Sequence, residues 1–405
     1  MELNLLDIPQ ISLNKLDRNS VRKRVDFSTS LYNTCFKEFV EGTEDGKKLT
    51  SSISKDSRLK EINDSINKEG ILSFDPKIIA AWFVWYANEK GRENAQKELN
   101  NWLNNKKDEF VDALWVVGIQ TEQIIKISEY ILIVPVSKMP LSEEQQQFSS
   151  FSSTGIFTPF QPQAAIVFNS KPQSFISDES LKEGEDLESL DNIYDVAHML
   201  NAIGDITCVP FIRAKYRLPR TPPGAFAEIS GKEWQQHDVN IKNFNKITDD
   251  ICPKLTALLD KYWKLSEKEK ERIDVILNRL LKSKNSQSVT DKILEVAIAL
   301  EMMLLDENKT DQLSLSFRLR GAWLLEEDAE QRLKTYKDLK NLYIYRSQAA
   351  HTGQLSDGKK KQKKIQAARD EIPRYLEIAE SVFEHLLING KPDWDRLILN
   401  AKSSN

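Results

Sequence analysis

Several features that mark common enzyme and membrane protein classes are missing from this chain of 405 residues. Glycine is scarce, with 14 residues, and the sequence contains no glycine-rich loop that could cradle phosphates. Neither an HExxH pattern nor a paired CxxC pattern occurs, so we expect no metal and no cofactor. The longest apolar run, Ile78 to Ala87, covers ten residues, which is about half of what a membrane-spanning helix requires.

Cysteine is also rare. Cys35, Cys208 and Cys252 are odd in number and far apart, which favours a reducing compartment and ordinary packing. The first residues contain no basic stretch followed by an apolar run, so the sequence predicts no secretory signal. We therefore expect a cytoplasmic protein that does not contact a membrane.

The composition that remains is that of an ordinary globular protein, with 40% apolar and 29% charged residues. A chain of this length can form two or three domains, each with its own core. The formal net charge of -4 provides no general attraction for nucleic acid. Any contact with RNA must therefore depend on a local basic patch.

Residues 1–235 have the patterns of a mixed α+β region. Asp75 and Pro76 suit the N-cap and the first position of a helix, which we expect to continue through Trp102. Short β-branched runs between turn residues predict strands at Ile131–Val136, Ala164–Phe168 and Cys208–Ile212. Stretches rich in Ser, Gln, Pro or Gly predict loops at Ser142–Gln163 and Arg220–Gly224.

Residues 236–400 predict an all-α bundle with short connections, so the expected fold class is α+β overall. The period of the apolar residues predicts helices at Asn240–Trp263 with a break near Pro253, Ser266–Ser283, Asp291–Leu305, Asp311–Leu325, Asp328–His351 and Lys359–Ile388. Ser266 and Glu269 form a capping box, and Gly353 is a natural helix stop. Asp291–Leu305 is apolar on nearly all sides and should lie centrally, and Pro373 should kink or divide the last helix.

An arginine and a histidine lie five positions apart at the end of one long helix. Arg346 can brace a phosphate with two hydrogen bonds, and His351 can move a proton near neutral pH. Together they are sufficient for cutting RNA without a metal. The alternative is a surface arginine followed by a histidine that the helix dipole favours.

The helix period separates the two side chains. Arg346 shares a packing stripe with Leu339, Leu342, Tyr343 and Ala350, whereas His351 points about 140° away from Arg346. A single copy can close the site only if the helix end unwinds. We therefore expect a composite site at the interface of a two-fold homodimer.

Other residues near this pair are candidates for supporting roles. Ser347 lies one turn before His351 and could bond to its ring. Glu301 could pair with Arg346 or Arg318 and orient the site, although Glu301 and Glu295 could each simply neutralise a neighbouring arginine. Tyr343 could stack on a base or belong to the core. The basic run could contact an RNA backbone or be solvated, and its residues are Lys359, Lys360, Lys361, Lys363 and Lys364.

The apolar helix at residues 291–305, the Leu313–Arg320 segment and the Leu339–Tyr343 segment that leads into Arg346 and His351 together resemble the HEPN superfamily. The resemblance covers about residues 290–390 and is closest to the Apea-like branch, which occurs among bacterial anti-phage proteins. It implies a helical bundle in which an arginine and a histidine, four to six residues apart, form a metal-independent ribonuclease site across a dimer. Arg346 and His351 match that motif.

The resemblance also implies a function. His351 would act as general acid or base and Arg346 would stabilise the phosphorane, leaving a 2′,3′-cyclic phosphate. The target would be tRNA or another cellular RNA, cut during abortive infection, and residues 1–235 would bind a phage-derived activator. The alternatives are a catalytically inactive HEPN-like module that binds RNA or protein, and a helical regulator whose partner docks on residues 1–235 and for which RNA is irrelevant.

Overall fold

The computed structural model describes residues 39–68, 75–105, 107–108, 110–139, 162–169, 173–174, 183–217, 233–234, 244–306, 312–355 and 361–399. The two predicted loops lie outside these residues except for Pro162 and Gln163, as do Lys359 and Lys360. Among the described residues, no helix combines the length and apolar character needed to cross a membrane.

The first part of the chain contains five helices and most of the strands that the structure describes. The helices are α1 (Glu44–Ser54), α2 (Ser57–Lys68), α3 (Pro76–Lys90), α4 (Arg92–Asn105) and α5 (Glu183–Leu200). The strands are β1 (Lys107–Asp108), β2 (Phe110–Val117), β3 (Ile119–Gln120), β4 (Ile125–Lys126), β5 (Ile131–Pro135), β6 (Ala164–Asn169), β7 (Gln173–Ser174), β8 (Val209–Arg217) and β9 (Glu233–Trp234).

The second part is helical, apart from strand β10 (Asn245–Lys246). Its helices are α6 (Cys252–Tyr262), α7 (Glu267–Asn285), α8 (Val289–Leu304), α9 (Leu313–Leu325), α10 (Ala329–Thr352), α11 (Lys361–Asn389) and α12 (Trp394–Ile398). The chain is thus mixed α+β with a helical C-terminal part, as the sequence predicts at that level.

The chain groups into two compact units. The first comprises Met1–Trp115, Glu129–Ile193 and Phe211–Gln235. The second comprises Val116–Ser128, Tyr194–Pro210 and Gln236–Asn405. Two short segments that precede residue 236 therefore group with the C-terminal helices.

In the first unit, α1 to α4 pack around a core that includes the fully buried Trp82. Asp75 caps α3 as predicted, because its side chain accepts a hydrogen bond from the Lys77 amide, and Pro76 occupies the first turn. The prediction of one helix through Trp102 is wrong. Gly91 has a φ of 89°, a left-handed value that suits glycine, and it separates α3 from α4.

The strands that lie wholly or largely in the first unit follow the order β5, β6, β2, β8, β9, and the pairs β5–β6 and β8–β9 are antiparallel. The three predicted strands are confirmed, but β2 was not predicted. Asp112 interrupts the apolar pattern of β2, yet its side chain is 1% exposed. Arg213 of β8 donates a hydrogen bond to it over 3.1 Å, which offsets the cost of burying the carboxylate.

In the second unit, α8 packs against α7, α9, α10 and α11, so the prediction of a central helix is confirmed. The capping box of Ser266 and Glu269 is also present. Gly321 lets α9 approach α10 closely, because a Cβ atom there would lie 2.5 Å from Leu339 Cδ1. The close approach helps fix the position of α10 in the bundle.

One helix prediction in this unit is wrong, and one of two options offered for another is excluded. The helix expected from Asn240 begins only at Cys252, with Pro253 in its first turn, where a proline leaves no hydrogen bond unmade. Asn245 and Lys246 instead pair in parallel with β3. Pro373 does not divide α11, which continues from Lys361 to Asn389. The carbonyl of Arg369 loses its amide partner there, and the exposure of Arg369 gives it access to water.

Candidate active site

Helix α10 carries both residues of the predicted pair and has well-defined ends. Asp328 caps its start, where the carboxylate accepts hydrogen bonds from the amides of Glu330 and Gln331. Gly353 ends the helix with a φ of 67°, and its amide donates to the Ala349 carbonyl. Because the helix continues to Thr352, its end does not unwind between Arg346 and His351.

Arg346 and Glu301 form an ion pair that connects α10 to the end of α8. Arg346 Nη2 donates to Glu301 Oε2 over 3.0 Å, and the two side chains are 33% and 18% exposed. This pairing is one of the two that were predicted for Glu301. Arg318, the other option, donates to the Ser314 carbonyl and lies over the Tyr336 ring.

The guanidinium of Arg346 has unused hydrogen-bonding capacity. Its Nε atom is buried and has no acceptor among the residues that the structure describes. A buried donor without a partner carries a free-energy cost, which an incoming acceptor would remove. A third of the Arg346 side chain is exposed, so an oxyanion from solution can approach the guanidinium, although the Nε atom itself is buried.

Burial raises the pKa of the Glu301 carboxyl, and the neighbouring Arg346 charge opposes that shift only in part. The carboxyl therefore takes up a proton at a higher pH than an ordinary glutamate. Below that pH the hydrogen bond to Arg346 can persist, but the opposite charge that holds the guanidinium is lost.

His351 lies on the exposed side of α10, away from Arg346. Five residues of continuous helix turn it about 140° from the arginine, so one copy of the chain does not bring the two side chains together. Ser347 is half-buried, and the described residues show no hydrogen bond between its hydroxyl and His351. A contribution of Ser347 to catalysis stays a prediction.

The packing stripe predicted for α10 needs one correction. Leu339 and Leu342 are buried as expected, but Ala349 is buried and Ala350 is exposed. A helix has 3.6 residues per turn, so residues on one face are separated by either three or four positions. After Arg346 the buried face continues at a spacing of three, at Ala349, and not at a spacing of four, at Ala350. Tyr343 is half-buried and its ring lies 5.7 Å from that of Phe317, which supports a packing role.

The basic run after the helix is described only in part. Lys361 begins α11, and Lys363 and Lys364 are exposed on its first turn and a half. These two side chains are open to solvent, as both the solvated and the RNA-binding interpretation require. Among the described residues, no cluster of three or more potential metal ligands occurs.

Helix α7 carries a buried lysine that was not among the predicted site residues. Lys284 Nζ donates to the carbonyls of Asn201, Gly204 and Ile206 over 2.7, 2.6 and 3.0 Å, and it lies 2.8 Å from Glu380 Oε1. Its side chain is 4% exposed. The signal in the sequence was its position one turn after the apolar residues Leu280 and Leu281 of α7.

Comparisons of the chain with models of protein families, with curated proteins and with solved structures found no match.

Proposed function

We propose that the second unit is a metal-independent endoribonuclease that acts in anti-phage defence. The observation that carries the proposal is the half-buried Arg346, held by Glu301 at 3.0 Å and left with a buried Nε donor that has no acceptor among the described residues. A phosphate oxygen is a strong acceptor of the right charge. The resemblance of residues 290–390 to HEPN ribonucleases supports the same function.

The cleavage needs both residue types. An imidazole of His351 takes the proton of the ribose 2′-hydroxyl, whose oxygen attacks the phosphorus. An imidazolium then gives a proton to the departing 5′-oxygen. Arg346 stabilises the charge that develops on the phosphorane. The products are a 2′,3′-cyclic phosphate and a 5′-hydroxyl, and DNA is resistant because it lacks the attacking hydroxyl.

A homodimer supplies the missing geometry in this proposal. Arg346 and His351 diverge along one continuous helix, so a second copy must bring another arginine and histidine to the same phosphodiester. Ile344 lies two helical turns before His351 on the same face and is 44% exposed, which gives the surface an apolar contact for that second copy. The first unit binds a phage-derived activator, and the target is tRNA or another cellular RNA in the cytoplasm.

A second function is favoured by the same divergence of side chains. The bundle can be a catalytically inactive HEPN-like module that binds RNA or protein. In that case His351 has no chemical role, and its substitution has no effect on any RNA.

Incubation of the purified full-length protein with total tRNA and EDTA tests the proposal. We expect cleavage to persist with EDTA, and His351→Ala to reduce its rate at least about 10²-fold. The matched control is His385→Ala, a half-buried histidine of α11, which should leave the rate unchanged. Cleavage that stops with the chelator, or equal rates for both variants, would contradict the proposed mechanism.

A further inference from the structure

From Leu333 onwards the open face of α10 is basic, in a chain with 61 acidic and 57 basic residues, while the exposed Glu330 lies one turn before Lys334. Between Leu333 and His351, the exposed residues are Leu333, Lys334, Lys337, Lys340, Asn341, Ile344, Ala350 and His351. Three of them are lysines and none is acidic. Asp338, the one acidic residue of this stretch of sequence, accepts a hydrogen bond from Arg374 over 3.3 Å.

The three lysines form a row that leads towards His351. A step of three residues advances about 4.5 Å along a helix and turns about 60° backwards, so the row slants across the face. Lys340 and His351 point in directions about 20° apart around the helix axis, and Lys340 lies about 17 Å closer to the start of the helix. From Lys334 to His351 the row extends about 26 Å, enough for several consecutive phosphates of a nucleic acid.

These charges are not neutralised within the second unit. Among the residues that the structure describes, no carboxylate forms an ion pair with Lys334, Lys337 or Lys340. Their positive potential therefore faces solvent. Lys261, Lys264 and Lys268 are equally exposed and also form no ion pair among the described residues, but four carboxylates lie close to them in sequence: Asp260, Glu267, Glu269 and Glu271.

We infer that Lys334, Lys337 and Lys340 form a phosphate-binding row that guides an RNA strand along α10 to His351. This inference rests on the proposed function, because that function identifies the polyanion as RNA. Ammonium groups on flexible stems bind phosphates as point charges and do not select a base sequence.

Binding without cleavage tests this row. The full-length His351→Ala protein is titrated into a fluorescein-labelled 12-nucleotide single-stranded RNA, and anisotropy is measured at several salt concentrations. The combined Lys334→Gln, Lys337→Gln and Lys340→Gln variant should bind at least about tenfold more weakly. The slope of log K against log salt should fall by about 2, since each lost phosphate contact removes about 0.7.

The combined Lys261→Gln, Lys264→Gln and Lys268→Gln variant removes the same charge from another part of the second unit. It should leave both affinity and slope unchanged, and thermal melting should show that both triple variants remain folded. Equal weakening by the two variants would overturn the row, because it would indicate a general effect of net charge. Absence of RNA binding by the parent protein would also overturn it and would point to an acidic protein as the occupant of this face.

The outcomes separate this inference from the proposed function. Binding that depends on the three lysines, in a protein that never cleaves RNA, supports the row and contradicts the nuclease. Cleavage that depends on His351 but is unaffected by the three substitutions contradicts the row and supports the nuclease.

Discussion

Helix α8 presents two carboxylates to two arginines in nearly the same way. Glu295 lies 2.9 Å from Arg279 of α7, and Glu301 lies 3.0 Å from Arg346 of α10. The arginine side chains are both 33% exposed, and the glutamates are 19% and 18% exposed. Distance and burial therefore do not distinguish the two pairs.

Their surroundings do distinguish them. Nε of Arg346 is buried without an acceptor among the described residues, whereas no such atom is found at Arg279. Helix α10 also carries the exposed His351 five residues later, and α7 contains no histidine. An ion pair between two helices is thus a common packing device. Spare donor capacity on a helix that also carries a group able to move protons is what makes one of the two pairs a candidate site.

Removal of each arginine is the strongest test of this comparison. We expect Arg346→Gln to slow RNA cleavage about 10³-fold, because a donor to the developing phosphorane charge is lost. Arg279→Gln should cleave at the wild-type rate. Single-turnover assays with excess protein measure both rates.

Chemical denaturation of the same two proteins provides the control. Both substitutions remove one partly exposed ion pair, so each should lower the free energy of unfolding by only about 1 kcal/mol. A comparable loss of activity in Arg279→Gln would show that the bundle as a whole, and not Arg346, supports cleavage.

Lys284 is the opposite case to Arg346, because its ammonium group has no spare hydrogen-bonding capacity. Three carbonyls and Glu380 surround its ammonium group, and burial lowers its pKa. Lys284→Met would leave Glu380 as a buried charge without its counter-ion. We expect the free energy of unfolding to fall by about 3 kcal/mol, measured by urea denaturation.

The control for this variant is Lys282→Met on the same helix, whose side chain is exposed and whose loss should cost at most about 0.5 kcal/mol. Cleavage per folded molecule should remain at the wild-type level in both proteins. If Lys284→Met abolished cleavage while the protein stayed folded, a fully hydrogen-bonded charge would also be needed for activity. A spare donor would then not be what distinguishes a functional residue from a packing residue.

Local signals made α10 and its ends predictable. An aspartate cap, a regular apolar period and a glycine stop act within a few residues of one another. The Arg346–Glu301 contact was also within reach, since each is a charge on a side of its helix that packs against the bundle. Such a charge needs an opposite partner nearby.

Long-range pairing escaped the sequence analysis. Asp112 interrupts the apolar pattern of β2, so the strand was not predicted. The arginine that makes the burial of Asp112 tolerable lies 101 residues away. The carbonyls around Lys284 are 78 to 83 residues distant. No local sequence pattern reveals partners so far away in the chain. For the same reason, no local pattern reveals which residues of a second copy would complete the site.

Glu301→Gln is the smallest change, because the amide keeps the shape of the side chain and removes only its charge. We expect cleavage at neutral pH to slow about tenfold, as Arg346 loses the counter-ion that orients it. Glu295→Gln should have no effect. Since burial raises the pKa of Glu301, the wild type loses the same charge as the pH falls through that pKa, and the rates of wild type and Glu301→Gln should converge.

Stability should change in the opposite direction to activity. A carboxyl whose pKa is raised by folding contributes most to stability below its unfolded pKa, and that contribution is lost as the pH rises through the folded value. Glu301→Gln has no such loss. The melting temperature of the variant minus that of the wild type should therefore increase as the pH rises from acidic to neutral. A variant that is both less active and less stable at neutral pH would identify Glu301 as a packing residue and leave Arg346 without its positioning partner.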